Sequence, residues 1–310
     1  MVVKVKELVK RYDKLVALDY LNLQVEEGEI FGLLGPNGSG KTTAINCILS
    51  LLQYDKGTIQ IFDKPMNPNA YDIKKNIGII MQNVAVFEEL TVYENISYFC
   101  SLYIKDKKEV RRLTKEAIEF VALEDYQKFH PKKLSGGLLR RLNIACGIVH
   151  KPKLIILDEP TVAVDPQSRN KILEGIKKLN EEGATIIYTS HYMEEVEQLC
   201  SRIAIIDKGR VIAEGTKEEL KSMISIGEKI SMEVYEMNEE HISELKKLPG
   251  IFSVEYHDNL LEIKSAKGRN NLINILDFLE RMNISFAKVI TELPTLNDVF
   301  LEITGKELRD

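Results

Sequence analysis

A short apolar strand, Glu29 to Leu34, runs straight into Gly35-Pro36-Asn37-Gly38-Ser39-Gly40-Lys41-Thr42-Thr43, and a helical stretch, Ala44 to Leu52, follows at once. Strand, glycine-rich turn and helix in that order leave few folds open, because such a turn sits at the carboxyl end of a buried parallel strand. The residue types follow from what the turn must do. Gly35, Gly38 and Gly40 let backbone amides turn inward, and the helix presents unpaired N–H groups and its positive dipole end to the same spot. Lys41 adds a point charge for the β and γ phosphates of a nucleoside triphosphate. Thr42 is placed so that its hydroxyl can ligate Mg2+, whose octahedral shell is otherwise filled by phosphate oxygens and water. The pattern is that of a P-loop, and it does not select a family.

A second apolar strand, Leu154 to Leu157, ends in Asp158-Glu159. Side chains at the carboxyl end of a strand in a parallel sheet face the ligand crevice. Asp158 is then positioned to hold Mg2+ through water, and Glu159 to accept a proton from the attacking water or to orient it. Leu134-Ser135-Gly136-Gly137 precedes a helix expected over Leu138 to His150. Ser135 is a natural N-cap, and the two glycines remove side chains from the approach, which makes a second anion-binding helix start.

The combination of the P-loop, Leu134-Ser135-Gly136-Gly137, Asp158-Glu159-Pro160-Thr161 and the later Ser190-His191 resembles the ATPase subunits of ATP-binding-cassette (ABC) transporters over roughly residues 2 to 220. The resemblance implies ATP and Mg2+ as ligands and gives further residues a part. Tyr12 matches the aromatic that stacks on adenine. Gln82 matches the glutamine that touches Mg2+ and links the site to a transmembrane partner. Asp165 matches the loop between subunits, and His191 the histidine that contacts the γ-phosphate. Ser135, Gly136 and Gly137 would bind the γ-phosphate held by another subunit's P-loop, so two copies, or a copy and a second ABC ATPase, would sandwich two ATP molecules. This chain has Leu138 where the family commonly has glutamine, and Ala163-Val164 where it commonly has Gly-Leu.

Residues 1–224 therefore read as an α/β P-loop ATPase domain with an all-helical signature subdomain over about 90–150. Its clearest strands besides the two above are Thr185 to Thr189 and Ile203 to Ile206, and Met1 to Lys10 alternates as a further strand. Residues 225–310 read as a second, α+β domain. Lys229 to Tyr235, Phe252 to Tyr256, Leu260 to Lys264 and Ser285 to Ile290 have strand character, with a tight turn at Asp258-Asn259; Glu239 to Leu248 and Asn270 to Arg281 are helical. The order βαββαβ is the ferredoxin-like split motif. A last amphipathic helix follows Pro294 and carries Leu296, Val299, Phe300 and Ile303. This unit and its ending resemble the ABC-2-type exporter branch, which serves drug, antibiotic and sodium extrusion through separate permeases.

Charge and hydropathy limit the partners. The net charge of -5 supplies no overall basic field for a polyanion, which argues against nucleic acid. Cys47, Cys100, Cys146 and Cys200 have no paired spacing and suit reduced, buried thiols. The most apolar stretch, Ile77 to Phe87, falls short of the roughly 20 residues that cross a bilayer. An integral membrane permease would have to be another chain, with this one peripheral on the cytoplasmic face of the cell membrane. The alternative reading is a non-transport ABC ATPase of the translation or DNA-repair type, whose members carry two cassettes or a long coiled coil; here there is one P-loop and a compact insertion.

Overall fold

The computed structural model describes residues 1–266 and 271–305. They form two compact units, the first Met1–Thr216, the second beginning at Lys217. The division falls ahead of Ser225 because the helix Lys217–Ser222 packs against the helix Leu296–Thr304 of the second unit.

The first unit is built on a six-stranded sheet. Its order is Arg210–Gly215, Arg202–Asp207, Ile30–Leu34, Thr185–Ser190, Leu154–Asp158 and Ile77–Ile80. All neighbours are parallel except the first pair, which is an antiparallel hairpin at the edge. Every residue of Ile30–Leu34, Leu154–Asp158 and Thr185–Ser190 is buried. That explains their near-continuous apolar runs, because a parallel sheet is covered on both faces.

A second sheet, antiparallel, precedes and flanks the P-loop in sequence. Its order is Leu15–Val25, Val3–Tyr12, Lys56–Ile61 and Lys64–Pro65. Its one-sided burial along Leu15–Val25, where Leu21, Leu23 and Val25 are buried between exposed neighbours, is the alternation of a sheet with one wet face. Leu8, Leu21 and Leu23 share one core with Phe31, Ile45, Leu154 and Ile206, so the two sheets pack together. The strands around the P-loop are thus divided between two sheets.

Residues between Ile80 and Leu154 supply the helices Val92–Ser101, Lys107–Phe120 and Gly136–Ile148. The first is closed by a capping box in which Thr91 and Glu94 satisfy each other's backbone N–H groups. The helix Gly136–Ile148 begins earlier than the expected Leu138 because Ser135 caps it, accepting from the Leu138 N–H at 3.3 Å. Its far end lies against the strand Ile77–Ile80: a Cβ on Gly78 would meet the Gly147 carbonyl oxygen at 2.5 Å.

The second unit contains a four-stranded antiparallel sheet, ordered Ile251–His257, Leu260–Ala266, Ile226–Val234 and Phe286–Glu292. Asp258 and Asn259, with φ of 50° and 64°, form the two-residue connection between the first two strands. Positive φ at both positions is the type I′ geometry that matches strand twist. The helices Glu239–Lys246 and Asn271–Arg281 contribute Leu245, Ile275, Phe278 and Leu279 to a core with Ile230, Met232, Val254 and Ile263. Asn270, expected to open the second helix, and residues 306–310 lie outside the described residues.

Candidate active site

The parallel register of the central sheet brings the strand ends into one cluster. Asp158 lies opposite Thr189 on the neighbouring strand, and Thr189 Oγ1 donates to Asp158 Oδ1 at 2.6 Å. The other carboxylate oxygen accepts from Thr42 Oγ1 at 3.0 Å. One carboxylate thus joins the sheet to the first turn of the helix Lys41–Ile48. Asp158 is 1% exposed, a burial that a carboxylate tolerates only with such donors around it.

Lys41 is also buried, at 4% exposure. Its Nζ donates to the carbonyls of Gly35 at 2.8 Å and Pro36 at 3.2 Å and lies 3.4 Å from Glu159 Oε1. Burial lowers its pKa from the usual lysine value, while the carboxylates of Glu159 and Asp158 oppose that shift. An anion brought beside this ammonium would favour its charged form further.

Glu159 stands at the centre. Gln82 Nε2 donates to its Oε2 at 3.2 Å, and His191 Nδ1 lies 3.3 Å from its Oε1. Its own backbone is left-handed, with φ of 49°, and its N–H donates to Thr189 Oγ1 at 3.0 Å. A non-glycine residue in that region stores strain of about 1–3 kcal/mol and persists only where surroundings over-determine it. The N–H bond to Thr189 is one such constraint.

The loop itself has the shape of an anion cradle. Gly40, the N-cap, has φ of 110° and so holds a conformation that costs glycine alone nothing. A side chain at Gly35 would collide with the Ile206 carbonyl and with Ser39 Oγ. Ser39 Oγ is buried without a hydrogen-bond partner among the described residues, an orphan that a phosphate oxygen can satisfy. Thr42 and Asp158 offer Mg2+ a hydroxyl and a carboxylate. No group of three or more His, Cys, Asp or Glu side chains that could hold a metal ion lies among the described residues, and an Mg2+ ion at Thr42 and Asp158 would take its other ligands from phosphate and water.

Tyr12 ends the strand Val3–Tyr12, is 44% exposed, and has Lys10 Nζ 5.1 Å from its ring centroid. It pairs with Leu15, whose strand passes the P-loop where the Ala17 carbonyl lies 2.8 Å from the place a Gly40 Cβ would occupy.

Ser135, Gly136 and Gly137 gather elsewhere, at the start of the helix Pro166–Glu181. Asp165 caps that helix, accepting from the Ser168 N–H at 2.9 Å, and this bond draws its carboxyl below the usual range. A Cβ on Gly137 would lie 2.7 Å from Ser168 Cβ. Among the described residues no hydrogen bond or ion pair joins Ser135–Gly137 to the P-loop of the same chain.

Four residues of this neighbourhood went unnoticed in the sequence. Thr189 could be found only from strand register. Arg140, buried on the helix after Ser135, donates to the carbonyls of Met81 at 3.0 Å and Gln82 at 2.7 Å. Asn143, one turn on, accepts from the Ala85 N–H at 3.1 Å. Glu195, 3% exposed, accepts from Thr161 Oγ1 and from the Tyr188 hydroxyl, each at 2.7 Å. Arg140 on its largely apolar helix is a signal, but the sequence does not say what it binds.

Fold and site together define a P-loop ATPase. The family model described as ABC transporter matches residues 18–162. The linearmycin resistance ATP-binding protein LnrL of Bacillus subtilis is 38% identical, the match covering 98% of this chain and 99% of that protein. The daunorubicin resistance ATP-binding protein DrrA3 of Streptomyces coeruleorubidus is 34% identical over 97% of this chain and 95% of its own. Among solved structures, a dimeric ATP-binding cassette in a post-hydrolysis state with ADP and Pi matches 69% of this chain and 98% of its own, with 30% identity and a TM-score of 0.64. The chain belongs to the ABC transporter family, as an ATP-hydrolysing subunit.

Proposed function

We propose that this chain powers an exporter of drugs, antibiotics or similar small molecules through a separate membrane permease. The full-length likeness to two antibiotic-resistance ATP-binding proteins supports the direction and the class of cargo. No helix among the described residues is long and apolar enough to cross a membrane, and in this reading a separate permease spans it while this chain is peripheral on the cytoplasmic face. Phe87, in the loop that follows Gln82, and Tyr98, on the helix Val92–Ser101, are each 43% exposed and meet edge to face at 5.0 Å. The loop carrying Phe87 is pinned by Asn95, which donates to its carbonyl and accepts from its N–H. An exposed aromatic pair on a loop held in this way suits the permease contact.

The observation that carries the catalytic reading is the convergence of Lys41, Gln82 and His191 on Glu159. In this reading the P-loop residues Gly35 to Thr43 cradle the phosphates of ATP and Tyr12 faces the adenine. Thr42, Asp158 and Gln82 hold Mg2+, which would neutralise charge on the β and γ phosphates. Glu159 takes the proton of the attacking water, or orients it, and His191 meets the γ-phosphate. Ser135, Gly136, Gly137 and Asp165 act on the site of a second copy, as the dimeric relative supports. In the second unit, the antiparallel order with two crossover helices supports a ferredoxin-like topology.

Glu159→Gln tests the assignment. The amide keeps the shape and cannot accept the proton, so Mg-ATP binding should persist while turnover falls at least about 100-fold. Turnover like the wild type's would remove Glu159 from that role.

A further inference from the structure

Glu195 lies on the short helix Met193–Leu199 and has so far been given no part in the site's chemistry. Its carboxylate is buried, accepts hydrogen bonds from two separate stretches of chain and has an ion-pair contact with a third. Thr161 Oγ1, two residues beyond Glu159, donates to its Oε2 at 2.7 Å. The Tyr188 hydroxyl donates to the same oxygen at 2.7 Å and Ser190 Oγ at 3.2 Å, both from the strand that leads to His191. Arg169, on the helix capped by Asp165, places Nε 3.2 Å from the remaining oxygen, Oε1.

Three further contacts close the same circuit. The Arg169 guanidinium carbon lies 4.9 Å from the Tyr192 ring centroid, and the Tyr192 ring lies 4.1 Å from that of His191. The Tyr192 N–H donates to Ser190 Oγ at 2.9 Å, which fixes the turn that carries His191. A carboxylate withdrawn from water needs several donors, and losing it would leave three hydroxyls without their shared acceptor and the Arg169 guanidinium without its counter-charge.

We propose that Glu195 is a positioning residue for ATP hydrolysis: it ties the Thr161–Asp165 loop to the Ser190–His191 turn, so that the γ-phosphate contact and the subunit-linking loop are set as one piece. The proposal rests on the reading of Glu159 and His191 given above. It makes a distinct claim about rate. Nucleotide affinity comes from the P-loop, on another strand end, so a looser Ser190–His191 turn affects turnover and spares binding. Misplacement of a catalytic group by about an ångström costs on the order of 100-fold in rate.

Steady-state hydrolysis by the full chain, measured across Mg-ATP concentrations, tests it. Glu195→Ala is expected to lower kcat by about 10- to 100-fold with KM held within about threefold. Glu195→Gln, which keeps one oxygen to face the hydroxyls, should recover most of the loss. A kcat for Glu195→Ala within about twofold of wild type, a loss carried wholly by KM, or a glutamine variant as impaired as the alanine one would overturn it. Should Glu195→Ala not fold, Thr161→Val and Ser190→Ala decide the matter: lowered kcat at constant KM supports the proposal, and unchanged kcat in both refutes it. Glu159→Gln run alongside separates the two claims. An active Glu159→Gln removes the catalytic reading itself; an inactive one beside a fully active Glu195→Ala removes only the tie.

Discussion

Ala163 turns left-handed, with φ of 58°, in the loop between the Asp158-Glu159 strand end and the helix capped by Asp165. The sequence shows alanine-valine where the family commonly has glycine-leucine, and on size alone the change looks slight. Conformation says more: a Cβ in this region costs roughly 1–2 kcal/mol that glycine avoids, offset partly by glycine's greater unfolded-state freedom. Ala163→Gly should therefore leave stability within about 1 kcal/mol of wild type, whereas Ala163→Val, β-branched at positive φ, should lower it by more than that. Chemical unfolding of the two variants compares them directly. Lys41→Ala is expected to lose nucleotide affinity, because its ammonium is the buried charge facing the loop carbonyls. Unchanged ATP binding in that variant would contradict the P-loop assignment. Residue identities at the P-loop and at Asp158-Glu159 could be read in advance because their chemistry demands particular types at fixed spacing. Thr189 and Glu195 could not, since each acts through a partner on a different strand or helix.

Elements were legible where burial is uniform and obscure where it is one-sided. The strands Leu154–Asp158 and Thr185–Ser190 announce themselves as unbroken apolar runs. Leu15–Val25 interleaves polar residues and departs from strict alternation through irregular pairing with Val3–Tyr12, which hides it from a pattern reading. The helix Gly136–Ile148 does two jobs: Ser135 caps its start, and Arg140 grips the carbonyls of Met81 and Gln82. A pH-sensitive contact lies just beyond it. His150 stacks on Tyr103 at 3.9 Å, and burial pushes its pKa down to about 4 from 6.5. The unfolded imidazole takes its proton near pH 6.5 and the folded one only near 4, so below 6.5 the unfolded chain binds more protons. Stability from this group is thus full above pH 6.5 and declines as pH falls toward 4, by up to roughly 3 kcal/mol. Thermal unfolding between pH 7 and 4 should show a shallower decline for His150→Phe than for wild type; parallel curves would exclude His150 as the cause.

At the scale of the molecule, the phosphate loop and the Ser135–Gly137 helix start do different work within one chain. Lys41, Asp158 and Glu159 converge, while Gly137 closes on Ser168 beside Asp165. In the proposed function one copy holds two halves of a site that a second copy completes. Two inactivated forms of the chain test it directly: Lys41→Ala, which spoils the phosphate cradle, and Ser135→Phe, which blocks the helix start. Each alone should hydrolyse little ATP. Mixed in equal amounts with free exchange, half of the pairs carry one undamaged site built from the sound parts of both, and activity should return to about one quarter of wild type. A mixture no more active than its two components would contradict a site shared between copies.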